Sequence, residues 1–227
     1  VVGAGRTVFL AAMVFLLPGL AGFALLRERP ALAPIVLPDA MLERSEAGAE
    51  RQARGNGYVE ALSGERPLVA SMIISNNIRV AFMCFAGGIV LGVGSLVILA
   101  LNGLSIGAAS GHFANAGLLG YLWTFVIGHG LLELFSIWVA GAAGFLLGRA
   151  LILPGRLVRR DALVLAGRVA MRLLGAVVVL LLIAGLIEGF ISAGTAPLPA
   201  RLGVSMASVL FLALYLWNGA RARAATP

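Results

Sequence analysis

A chain of 227 residues that is 60% hydrophobic, with a mean hydropathy of +1.01, falls outside the composition of soluble domains and excludes a free-standing soluble enzyme. All 17 basic residues are arginine and the net charge is +7, but the arginines gather at the ends of apolar runs, which is a membrane-topology signal and not a nucleic-acid patch. The lone cysteine, Cys84, sits inside an apolar run and excludes an internal disulfide or a cysteine-based metal site.

The composition predicts an all-α integral membrane protein: a bundle of about six transmembrane helices with one extracytoplasmic loop, in a single membrane domain over residues 1–227. The chain opens on Val1 and enters an apolar run at once, which predicts a natural start, with a cytoplasmic region, lying upstream. The first span covers about residues 5–26; it carries Pro18, has no small-residue cleavage site, and reads as a retained span rather than a signal peptide. A polar loop of about 27–72 follows, with Pro30, Pro34 and Pro38, the acids Asp39, Glu43, Glu46 and Glu50, and a Gly55-Asn56-Gly57 turn signal. Within it, Pro38 to Gln52 predicts a short surface helix capped by Asp39, with Met41 and Leu42 toward lipid headgroups.

The second span is predicted over about 78–101, ending at the Asn102-Gly103 break, and the third over about 104–127, with His112 in its middle or cytoplasmic half. The fourth begins after Gly128, His129 and Gly130 and stops at Pro154 and Gly155; the fifth covers about 169–191 and the sixth about 204–217. Arg149, Arg156, Arg159, Arg160, Arg168 and Arg172 against the single acid Asp161 mark the loop at about 154–168 as cytoplasmic. Arg221 and Arg223 fall on the same side, so both termini are cytoplasmic and the acidic loop is outside. Tyr121, Trp123, Tyr215 and Trp217 read as interfacial anchors. Glycines at helical spacing (Gly88 with Gly92; Gly103, Gly107 and Gly111; Gly144 with Gly148) predict close helix packing, within the bundle or across a homodimer seam.

Ionisable groups within spans cost several kcal/mol unless paired or facing a cavity, and two acids qualify as functional candidates, Glu133 and Glu188. His129 and Glu133, four apart, share a helix face; with Glu188 and with Asn76 and Asn77 they converge toward the outer leaflet. Three readings stand side by side: a hydrogen-bonded cluster that fixes helix register, a divalent metal held by His129, Glu133 and Glu188, or a polar cavity for a lipid headgroup, a glycan or a proton. No second histidine completes an HExxH pattern and no phosphate-cradling loop is present, so no catalytic residue is assigned.

The stretches NNIRVAFMCFAGGIVLG from Asn76, LNG at Leu101, HGLLEL from His129, AGFLLGRALILPG from Ala143 and AGLIEGF from Ala184 together resemble the stage II sporulation protein M family. The hallmark positions of the family fall on Asn76 and Asn77, on His129, Gly130 and Glu133, and on Glu188; Gly128 stands where a proline often precedes the histidine. The resemblance implies a membrane anchor, resident in a bacterial inner membrane, in a sporulation complex that recruits peptidoglycan hydrolases during engulfment. The function expected is a noncatalytic scaffold of a cell-envelope assembly, with the lipid bilayer and envelope proteins as partners. The alternative is a proton- or lipid-coupled translocase built on the outer polar cluster.

Overall fold

A computed structural model of the chain describes residues 2–54, 66–127, 129–187 and 198–224. The Gly55-Asn56-Gly57 turn signal, Gly128 and Glu188 lie outside the described residues. The helices are α1 (Gly5–Glu28), α2 (Ala33–Val36), α3 (Asp39–Glu46), α4 (Gly48–Ala53), α5 (Arg66–Ala86), α6 (Val93–Asn115), α7 (Leu119–Val126), α8 (Gly130–Ile152), α9 (Arg159–Ile187) and α10 (Leu198–Ala224). Among the described residues, six helices are long and apolar enough to cross a membrane, and the chain is an all-α, multi-pass membrane protein.

The tightest seam joins α1 to α6. A Cβ at Gly103, Gly107 or Gly111 of α6 would strike the backbone at Phe15, Gly19 or Phe23 of α1, so a four-residue stripe on each helix brings the two main chains together. A second seam packs Gly88 against the Gly144 backbone and Gly148 against Leu91 and Gly92. The predicted glycine stripes are thus used within the chain. α8 is the most enclosed span, packed on α9 and bordered by α1 and α5; Val139, Ala140, Ala142 and Ala143 on it are fully buried. α10 leans on this core through Leu212, which meets Leu132, Leu180 and Ala184.

The boundary between the second and third spans differs from the sequence expectation. Asn102 and Gly103 lie inside α6, where Asn102 Nδ2 donates back to the Ile98 carbonyl at 2.8 Å and Gly103 faces α1. The break falls at residues 87–92 instead: a 3-10 turn at Gly87–Ile89, then Leu91 and Gly92 at φ of 53° and 82°. Gly92 takes the left-handed conformation cheaply and Gly87 lets the turn touch the backbone at Gly94. The turn is apolar, with Ile89, Val90, Leu91 and Val93 exposed, so hydropathy runs straight through it.

Other boundaries shift less. α9 starts at Arg159, so the basic connection expected over 154–168 is reduced to residues 153–158 and the arginines from 159 onward belong to the helix. The surface helix expected over residues 38–52 is two short helices, α3 and α4. Pro38, not Asp39, holds the N-cap position, and Asp39 makes no capping bond from there because it is already the first helical residue. Met41 and Leu42 turn inward onto Leu26, Ala33 and Ala108 rather than toward headgroups.

Helices α2 to α4 close one end of the bundle. Leu37 packs on the α1–α6 seam, Gly48 sits against the Leu118 side chain, and Arg51 Nε donates to Tyr121 Oη at 3.4 Å. Tyr121 is consequently buried with Phe113 and Leu122, not an interfacial anchor, whereas Trp123, Tyr215 and Trp217 are exposed. Asn115 ties the same end together: its Nδ2 donates to the Leu26 carbonyl at 2.6 Å and its Oδ1 accepts from Arg27 Nη1 at 2.9 Å. The opposite end carries the 87–92 turn, the 153–158 connection and Arg149, Arg156, Arg159 and Arg160.

Candidate functional site

Beneath the cap, a cavity of about 480 Å³ lies between α5 and α6, with α8 behind it and α7 and α3 above. Asn76 and Asn77 come from α5, Ser110 from α6, His129 and Glu133 from the start of α8, and Arg44 from α3. Four of the five residues singled out in the sequence therefore line one cavity. The fifth, Glu188, lies outside the described residues.

The local fold explains the convergence. The left-handed Gly117 and the short α7 return the chain into the bundle, so that His129 becomes the N-cap residue of α8 and Glu133 falls in its first turn. A carboxylate there is favoured by the positive end of the helix. Asn77 Nδ2 donates to Glu133 Oε1, bridging α5 and α8. His129 Nε2 lies 3.9 Å from Glu133 Oε2, so the two carboxyl oxygens face different partners. The His129 ring is buried and meets Phe125 edge to face, centroids 5.3 Å apart, which fixes its plane.

Among the described residues no group of three His, Cys, Asp or Glu side chains is arranged to hold a metal ion; His129 and Glu133 supply two donors, and the third ligand named from the sequence is Glu188. His112 does not line this cavity. Because α6 starts at Val93, His112 falls in its last turn, at the capped end and not in the middle of a span; it lines a second cavity of about 400 Å³ with Pro30, Pro34 and Glu46.

Sequence reasoning missed Arg44, Ser110 and Trp123 as lining residues. Arg44 gave no signal because its position depends on α3 folding back over the bundle. Ser110 was visible only as a polar weakness in an apolar run, and Trp123 as an apparent anchor.

These features define a polytopic membrane protein with a capped cleft at one end of an all-α bundle, mainly apolar in its lining and carrying a cluster of polar side chains. The family model of stage II sporulation protein M matches residues 8–193, and the chain belongs to that family. An uncharacterized protein of Methanocaldococcus jannaschii is 28% identical over 74 residues, covering 32% of this chain and 42% of that relative; the match spans less than half of the relative's length. No solved structure matches the chain.

Proposed function

We propose that this protein is a noncatalytic multi-pass scaffold of a cell-envelope assembly that remodels peptidoglycan, resident in a bacterial inner membrane with both termini cytoplasmic and the α2–α4 cap outside. One observation carries the reading: the cap is a pinned, preformed surface, held by Leu37, Gly48 and Arg51, that leaves Glu43, Glu46 and Glu50 exposed for a partner. Arg149, Arg156, Arg159 and Arg160 around the short 153–158 connection support this orientation, because positive charge is retained on the cytoplasmic side. Peptidoglycan hydrolases are the partners this family relationship favours. In this reading the Asn77–Glu133–His129 network sets the register of α5 on α8, which keeps the cap in place.

The test is complementation in the organism that carries the gene. Deletion is expected to alter muropeptide composition. A photocrosslinking residue at Glu46 or Glu50 is expected to trap a peptidoglycan hydrolase, whereas one at Arg156, on the opposite end, traps none. An unchanged wall after deletion, or crosslinks to the hydrolase only from Arg156, would sink the proposal. A translocase is the second reading, favoured by the cleft between α5 and α6; its required sign is protein-dependent movement of a substrate across a sealed liposome.

A further inference from the structure

Arg79 stands near the midpoint of the apolar stretch Ser71–Ile89, about 12 Å of helix from one end and about 15 Å from the other at 1.5 Å per residue. It is exposed, and it does not line the cleft. Met72, Phe82 and Met83, on the same side of α5, are 65%, 44% and 47% exposed, so this flank meets acyl chains and not water. Among the described residues Arg79 has neither a hydrogen bond nor an ion pair.

Depth decides what can pair with it. An arginine near the end of a span snorkels its guanidinium to the headgroups, but from the midpoint there are roughly two helical turns or more to cover in either direction. A guanidinium held among acyl chains is costly, and intramembrane cations characteristically pair with an acid. Glu133 does not serve, because it is bonded to Asn77 and lines the cleft. Nor does a second copy in a symmetric α5–α5 contact, which would set Arg79 against Arg79.

The neighbours of Arg79 describe a helix as the partner. Ser71 and Ser75 are exposed and four residues apart, with Ser75 one turn from Arg79, and small residues at that spacing let a second backbone approach closely. Asn76, also exposed, adds an amide on the same side. A carboxylate matches the guanidinium fork with two parallel hydrogen bonds, which a water-free flank strengthens.

We propose that the outer flank of α5 is a docking face for a transmembrane helix of another membrane protein, one that carries an Asp or Glu at mid-bilayer. Its carboxylate pairs with Arg79 and its backbone seats on Ser71 and Ser75. Charge complementarity selects this occupant, and the depth of Arg79 sets the depth of the acid. The face is separate from the cap, and its test needs neither a hydrolase nor a wall phenotype.

The test reconstitutes the full chain, carrying an acceptor fluorophore at its C-terminus, in phosphatidylcholine vesicles with donor-labelled leucine–alanine helices of span length. These carry one glutamate at the centre, one glutamate a turn to either side, or none. Energy transfer is expected to saturate for the central glutamate with a half-point about tenfold below that of the all-apolar helix, the upper range for an interhelical polar contact. Arg79→Leu removes the difference, Arg79→Lys keeps part of it, and Arg79→Glu moves the preference to a helix with a central arginine. Equal binding of the glutamate and all-apolar helices at every position, or a preference that survives Arg79→Leu, overturns the proposal. So does loss of the preference when phosphatidylglycerol is added, which would give Arg79 to a lipid phosphate. Transfer between two labelled copies of the chain that Arg79→Leu abolishes would make the occupant a second copy and overturn it likewise. Arg79→Leu is expected to leave or raise the thermal midpoint of the chain alone in detergent; a lowered midpoint would assign Arg79 to the chain's own packing and sink the docking face.

Discussion

Asn77, in the middle of α5, donates to Glu133, in the first turn of α8, so two residues 56 apart in sequence join the two helices. Interhelical hydrogen bonds in membranes average about 0.6 kcal/mol and reach about 1.7. Glu133→Gln keeps an acceptor oxygen for Asn77, so its thermal midpoint in detergent is expected to stay near wild type. Asn77→Ala and Glu133→Ala are each expected to lower it, and the double alanine variant to show less than the sum of these two effects, since both remove the same bond. A strictly additive pair would mean the bond contributes nothing.

The glycine seam predicts opposite signs at different glycines. Gly107→Ala drives a methyl into the Gly19 backbone, and overpacking of this kind costs about 1–3 kcal/mol. Gly167 and Gly175 lie within α9 with open space where a Cβ would stand. Alanine at either is expected to stabilise by about 0.5–1 kcal/mol through helix propensity. Thermal unfolding followed by circular dichroism separates the two groups; equal shifts at Gly107 and Gly167 would remove the seam from the account.

The predicted six helices, their order and the polar cluster at one end were legible because each depends on residues near in sequence: apolar runs of span length, arginines at their ends, and polar side chains too costly for lipid without a purpose. Two features were not legible. The 87–92 hairpin is made of Ile89, Val90 and Leu91 between glycines, so its turn carries no polar mark and Asn102-Gly103 looked like the better break. The cap was hidden because the inward turn of Met41, Leu42 and Tyr121 depends on α1, α6 and α7 meeting it, contacts that local patterning does not encode.

Cys84 offers a direct report on unfolding. Its side chain is fully buried, and Ser95 Oγ donates to its carbonyl at 2.6 Å across the hairpin. Maleimide is expected to leave the folded protein unmodified in mild detergent and to label it fully after denaturation. Ser95→Ala removes one buried bond, worth about 1 kcal/mol, and should speed labelling of the folded state; prompt labelling of the untreated wild type would contradict the buried placement.

The cap can be loosened without touching the spans. Gly48→Val places a branched side chain against Leu118, where even a Cβ is crowded. Hydrogen exchange is expected to rise across residues 39–53 while protection in α8 and α9 is unchanged. Faster exchange spread over the whole bundle would mean that the cap is part of the core and not a lid upon it.

The close backbone contact of α1 with α6 also sets a problem in time. During synthesis the ribosome must add the 64 residues from 29 to 92 before α6 begins to appear. At about 5–20 residues per second that is roughly 3 to 13 s in which the groove of α1 around Gly19 and Gly22 has no native helix to receive. The newborn first helix is therefore a waiting half-site, and lipid, the insertion machinery or another nascent chain must occupy it until its own partner arrives.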